Sequence, residues 1–422
     1  MNSLRLMQAD MQADMQADMQ ADVADVQWLS AEEAARRLGV KIGTLYSYVS
    51  RGVIRSHPSL EGRGSRFDRA DLEGLLVRRR SQPAGSADTV VASRITRLHE
   101  DGVRYRGQPV EDLARDHSFE EVAALLWEVP HDREPWSAVA LPRVSVPVST
   151  GLSDRIRLAI ALAGPLDGHR HDLRVGSVAV SARTLIATVV DHLPLTDPTM
   201  TKRPLLVIGH RRMKGSVAAA LAPRLGAQRV SATVVRAVNT ALILAADHEM
   251  ATSTLAARVA ASTRADVYSA VLAGASCGGP LHVGASSEVA LLLRDSGQRG
   301  VAVAVGELLR SGRRVPGFGH KVYARDPRFN VLWKVLEGSG LPQGRIDVAS
   351  RVLEFAAERV PVQPNIDFAG AALAYAAGMH SDAFEAVFLV ARMAGWVAHT
   401  LEEYGEAPLR FRTRSLYVGR PG

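Results

Sequence analysis

The chain has 422 residues, 47% of them hydrophobic, with 51 Lys and Arg against 44 Asp and Glu and a single cysteine. That length suits two or three domains with a large core and excludes disorder for most of the chain. A lone thiol, Cys277, excludes an internal disulfide framework and suits a reducing, cytoplasmic setting. No apolar run is expected to span a membrane, because Arg236 and Asp247 interrupt the stretch 234–246.

Residues 1–27 carry one arginine against five aspartates and repeat Met-Gln-Ala-Asp four times. Four residues are too few for a solenoid unit, so this is expected to be a low-complexity tail without a role. Residues 28–80 hold eleven basic against six acidic side chains, the densest surplus in the chain. Ser30 and Glu33 have capping-box spacing, Ala34, Ala35 and Leu38 make one apolar helical face, and Gly39 ends it. A second short helix follows over 44–49, the stretch 59–67 suits a hairpin wing, and 71–76 suits a closing helix. On these features the unit resembles the MerR/excisionase-type winged helix-turn-helix. The resemblance implies duplex contacts, with Lys41, Thr44, Tyr46, Arg63 and Arg66 as candidates. Ile42 and Gly43 supply no base-reading donor, so a retained protein-contact role stays equally open.

Residues 81–92 read as a linker, and 93–422 as an all-α unit. Helical periodicity covers 118–128, 153–164, 178–191, 229–247, 252–261, 285–296, 299–312, 345–360 and 381–406, with one short extended candidate at 144–148. No phosphate loop, zinc spacing or serine elbow occurs, which leaves hydride transfer, metal hydrolysis and serine nucleophile chemistry unsupported, and no metal site is expected. What stands out is a set of polar residues in apolar, small-residue surroundings: Asp247-His248-Glu249, Gly279-Pro280-Leu281-His282, Gly317-Phe318-Gly319-His320-Lys321-Val322-Tyr323, Asp326-Pro327-Arg328, Asn365-Ile366-Asp367, Arg392 and Arg412. Singly they have plain readings, His282 as a core histidine, Asp367 as a helix cap, Arg392 as half of a buried ion pair. Together, arginines that bind carboxylates and imidazoles that polarise carbonyls suggest acid–base chemistry on a small anion.

With Asp101-Gly102-Val103-Arg104-Tyr105 near its start and Arg414-Ser415-Leu416-Tyr417 near its end, the stretch from about 93 to 419 resembles the citrate synthase family. The resemblance implies a two-domain helical fold, a homodimer, and condensation of acetyl-CoA with oxaloacetate and water. No cofactor is implied, acetyl-CoA being a substrate. Matched to the family's motifs, Asp367 is the base, His282 the partner of the thioester oxygen, and His320 the group that polarises the ketone. His248, Arg328 and Arg392 match oxaloacetate ligands, and Arg412 an arginine contributed across the dimer. Gly319, Lys321, Val322, Tyr323 and Arg325 match the CoA segment. Val283, Ala251 and a His320–Arg328 interval one residue short depart from the pattern. Two alternatives stand beside this reading: a 2-methylcitrate synthase using propionyl-CoA, one methylene being worth about 1–3 kcal/mol of discrimination, and a metabolite-sensing regulator that binds DNA.

Overall fold

The Ser30 hydroxyl accepts from the backbone N–H of Glu33 at 3.2 Å and the Glu33 carboxylate accepts from that of Ser30 at 2.9 Å, so the capping box starts the first helix. The computed structural model describes residues 28–38, 40–50, 54–58, 64–68, 72, 90–99, 102–195, 210–213, 215–279 and 284–411. The chain divides into two compact units, Met1–Val90 and Val91–Gly422.

In the first unit, β1 (Trp28–Ser30), α1 (Ala31–Leu38), α2 (Ile42–Ser50), β2 (Ser56–Pro58) and β3 (Ser65–Asp68) follow one another. β3 lies between β1 and β2, antiparallel to both, with Phe67 opposite Leu29 and Ser56. Phe67 thereby closes a small core with Ala34, Ala35, Leu38, Leu45, Ile54 and Leu72. The wing begins three residues before the expected 59, and its pairing with β1 was not legible from local pattern. Residues 59–63 of the wing, and all of 71–76 except Leu72, lie outside the described residues.

The second unit opens with an antiparallel meander, β4 (Thr96–His99), β5 (Gly102–Tyr105) and β6 (Gln108–Pro109). Helices α3 (Val110–Asp116), α4 (Phe119–Trp127), α5 (Leu152–Ala163) and α6 (Val175–His192) follow, with β7 (Ser137–Val139) before α5 and β8 (His210–Arg212) pairing back onto β7. Then come α7 (Val217–Leu221), α8 (Ala232–Ala245), α9 (Thr252–Ser262), α10 (Val267–Ser276), α11 (Ala285–Arg299) and α12 (Val301–Arg310). The last four are α13 (Pro327–Glu337), α14 (Gln343–Ala357), α15 (Ile366–Ala377) and α16 (Ala383–Tyr404). The expected extended segment 144–148 forms no strand. Pro147 withholds a ladder donor and Val148 is 99% exposed, so no sheet face is available there, and the strand lies instead at β7.

α16 is the axis of this unit, packed against α4, α5, α6, α8, α9, α10, α11 and α15. By length and composition it is apolar enough to cross a membrane, which corrects the expectation from sequence, yet 83% of its apolar window is buried inside the protein. Its close neighbours need small residues: a Cβ on Gly274 of α10 would collide with the indole of Trp396. Trp127 donates its indole N–H to the Ala394 carbonyl at 2.9 Å, locking α4 onto the same helix.

A second capping box, Ser118 with Glu121, begins α4 with bonds of 3.2 and 2.7 Å. Ser118→Ala should lower unfolding stability by about 1 kcal/mol in urea titration.

Candidate active site

Helix ends bring the chemistry together. His248 follows α8, Arg328 lies in the first turn of α13, Asp367 in the first turn of α15, and Arg392 projects from the middle of α16. The loop carrying His320 is sewn to the segment before α15. Gly319 N–H donates to the Gln363 carbonyl at 2.8 Å, Asn365 N–H to that of Gly317 at 2.9 Å, and the Asn365 amide to that of Gly319 at 2.8 Å. The same Asn365 side chain caps α15, accepting from the N–H of Asp367 at 3.0 Å and of Phe368 at 3.4 Å. Capping is therefore the work of Asn365, and the Asp367 carboxyl is not used for it.

His320 lies 5.2 Å from His248, ring centre to ring centre, and stacks on Tyr323 at 4.7 Å, while Tyr323 meets His248 edge-on at 5.5 Å. The His320 Nδ1 accepts from the N–H groups of Val322 at 3.0 Å and Tyr323 at 3.3 Å, which assigns the ring proton of the neutral form to Nε2. Nε2 lies 3.4 Å from Arg328 Nη2, and two donors cannot bond, so the Nε2 proton is left for another acceptor. His248 Nε2 and the Tyr323 hydroxyl are buried polar atoms without a partner among the described residues. Such atoms are costly unless they serve a ligand.

Arg328 is 4% exposed and bound through Nε and Nη2 to both oxygens of Asp326, at 2.9 Å each. Asp326 also accepts from Ile366 N–H at 3.1 Å, so one carboxylate joins α13 to the start of α15. Arg392, 1% exposed, donates Nε to the Ala245 carbonyl at 2.9 Å and sits over the Phe388 ring. It makes no ion pair among the described residues, so it is not half of a buried ion pair there.

The electrostatics follow from burial among cations. Burial pushes the His248 pKa well below the usual imidazole range, and Arg328, Arg392 and His320 add to the shift. His320 is lowered by burial and then by Arg328. Both imidazoles are thus neutral hydrogen-bonding groups at neutral pH. Asp367, half-buried, is raised to about 6, first by burial and then by Asp326 and Glu385, with Arg328 and Arg392 opposing. That value suits a base that must be ionised at neutral pH yet take up a proton readily.

Of the CoA candidates, Tyr323 belongs to the histidine cluster, and Gly319 is part of the loop clasp. Lys321, Val322 and Arg325 are exposed beside it. His282, Val283 and Arg412 lie outside the described residues, as does Arg63. In the first unit Lys41, Thr44 and Tyr46 are exposed around the start of α2, whereas Arg66 is partly buried against the Trp28 ring at 4.6 Å. Asp326 and Asn365 stand in the polar set read from the sequence but carry no role there. The signal for Asp326 was present, since Asp followed by Pro marks a helix start, and α13 begins there.

Asp326→Ala should destabilise by about 3–5 kcal/mol because it strands a buried guanidinium, whereas Arg328→Met with Asp326→Leu together should cost far less; chemical denaturation checks both. The raised Asp367 pKa means the fold prefers the protonated carboxyl. Its contribution is complete below the unfolded value of 3.8 and is lost as pH rises through about 6. Asp367→Asn should therefore stabilise by on the order of 1–2 kcal/mol above pH 6, a gain that grows between those two values and is then level, as read by melting across pH.

The family profile described as citrate synthase, C-terminal domain, matches residues 85–414, and a helix-turn-helix domain profile matches 28–80. The chain is 30% identical over 341 residues to a citrate synthase of Haloferax volcanii, covering 75% of this chain and 89% of that protein. It is equally 30% identical, over 368 residues, to a 2-methylcitrate synthase of Mycobacterium tuberculosis, covering 79% and 88%. The crystal structure of citrate synthase from Thermotoga maritima superposes with a TM-score of 0.60 at 27% identity, covering 79% of this chain and 94% of that one.

Proposed function

The chain belongs to the citrate synthase family as an acyltransferase of that type, and from that premise we propose that it condenses acetyl-CoA with oxaloacetate and water to give citrate and CoA. The observation that carries this reading is the meeting of a carboxyl with a pKa raised to about 6, two neutral imidazoles and two buried guanidinium groups. A 2-oxo dicarboxylate needs those guanidiniums for its carboxylates and a neutral donor for its ketone.

In this reading Arg328, Arg392 and His248 hold oxaloacetate. The Asp367 carboxylate takes a proton from the acyl methyl group, and the electron pair of that C–H bond becomes the new C–C bond to the ketone carbon. His320 Nε2–H stabilises the oxygen that turns from ketone to alkoxide. Water then cleaves the thioester, releasing the CoA thiol. His282 and Arg412 keep their roles as expectations from the family. Lys321 and Arg325, in water beside the loop, suit the phosphates of CoA. No cofactor or metal is needed, and the working form is a homodimer, checked by mass in solution.

Propionyl-CoA is the variant reading, favoured by the 2-methylcitrate synthases of the same similarity. The N-terminal unit is read as accessory. Its exposed Lys41, Thr44 and Tyr46 suit weak, phosphate-driven duplex binding, which must fall steeply with salt.

Purified protein given oxaloacetate and acetyl-CoA should release thiol, and no release with either acetyl- or propionyl-CoA rejects the proposal. Asp367→Asn should lower kcat by about 100-fold or more. Because Asp367 must be ionised, kcat/KM for the thioester should fall about tenfold per pH unit below about 6.

A further inference from the structure

We propose that the buried chain Asp247–His399–Arg258–Glu403 is a positioning device that aims His248 and Arg392 at the oxo-acid; the inference rests on the condensation proposed above and names further residues for the same site. All four members are 0% exposed. Buried ion pairs add little net stability, whereas a fixed geometry can require them.

Residues 392, 395 and 399 of α16 fall on one helical stripe and address three consecutive residues that run from the last residue of α8, 245 to 247. Arg392 Nε donates to the Ala245 carbonyl at 2.9 Å, Gly395 N–H to that of Ala246 at 3.1 Å, and His399 Nε2 meets Asp247 Oδ2 at 3.4 Å. Only glycine fits at 395, since a Cβ would collide with the Ala246 carbonyl and the Asp247 carboxylate. Asp247 Oδ2 also accepts from Thr96 Oγ1 at 2.5 Å and from Glu249 N–H at 3.2 Å. This last bond closes a turn with His248 at its apex and holds Glu249 at φ 54°, a left-handed conformation unfavourable for glutamate. Tyr105 clasps the same residue from the other side, its hydroxyl accepting from Asp247 N–H at 3.1 Å and donating to the Asp247 carbonyl at 2.9 Å.

The direction of the relay is set by chemistry. Arg258 has only donors, so at 3.1 Å from its Nη1 the His399 Nδ1 must accept, and the ring proton lies on Nε2, facing Asp247. Arg258 is held in turn by Glu403 at 2.9 Å and Glu402 at 2.6 Å. His399 thus passes the fixed position of the Arg258–Glu403 pair to the carboxylate that shapes the turn carrying His248.

The test compares His399→Leu with His399→Gln in the full chain. Glutamine keeps both bonds, its amide N–H for Asp247 and its carbonyl for Arg258, and leucine keeps neither. His399→Leu should raise the KM and the calorimetric Kd for oxaloacetate by about 10-fold or more and the KM for the acyl-CoA by less than about 3-fold, with His399→Gln near wild type. Thr96→Val, which removes one bond from Asp247 and leaves the relay untouched, should weaken oxaloacetate binding about 3-fold or more and covers the case in which the leucine variant does not fold. Equal effects of leucine and glutamine at matched melting temperatures, or a loss shared equally by both substrates, overturn the proposal. Oxaloacetate binding without thiol release rejects the condensation while the affinity comparison still decides this inference, and a wild type that binds no oxaloacetate rejects both.

Discussion

Helix α16 runs 22 residues through the protein, and the polar side chains it carries into the core, Arg392, His399 and Glu403, must be answered by other elements. Each answer fixes a neighbour. Arg392 takes the last carbonyl of α8, His399 takes Asp247, and Glu403 takes both Arg258 of α9 and Arg410. An apolar helix in the same place could slide or rotate by a fraction of a turn with little loss. This one cannot, because a shift would strand buried charge at a cost of several kcal/mol. The strictness of the core is what gives His248 and Arg392 a defined place.

A second constraint acts around Asp326. Its carboxylate serves Arg328 with both oxygens and the backbone of α15 with one, so Arg328 and the helix bearing Asp367 are set by a single group. The same negative charge contributes to the raised pKa of Asp367. Geometry and basicity are coupled there: the group that positions the arginine also makes the neighbouring carboxylate a better base. Burial, and after it the nearby cations, act in the opposite sense on the histidines, keeping them neutral and therefore able to donate hydrogen bonds without adding a further buried charge.

The first unit shows charge and structure competing for the same residue. Arg66 belongs to the basic surplus of 28–80, yet its guanidinium is laid over Trp28 beside the β1–β3 pairing. α2 itself carries no cation, and its exposed Ile42 and Tyr46 make its outer face partly apolar. The basic density of this segment is thus a weaker guide to duplex contact than its count suggests, because part of it is engaged in holding the sheet.

Much of this protein follows from local sequence physics. The first capping box, the long apolar periodicities and the Ala34, Ala35 and Leu38 face appear where spacing puts them, since helix starts and amphipathic faces depend on residues within a turn or two of each other. α3, α7, α10, α13 and α15 fall outside the expected helical stretches, although Asp326-Pro327 and Asn365 are ordinary start signals for the last two. The polar residues of the site were legible as anomalies in apolar settings, His248, His320, Arg328, Asp367 and Arg392 among them. Their distant contacts were not: Asp326 on the Ile366 N–H, Asn365 on the Gly319 carbonyl and His399 on Asp247 depend on which helix ends meet. His399 sits two turns after Arg392 on the same apolar helix, and that spacing was a visible hint. The sequence by itself determined which groups are present and which faces are buried. Only the tertiary structure decided which distant buried groups satisfy one another, because pairing across 40 to 152 residues is set by packing and leaves no periodic trace.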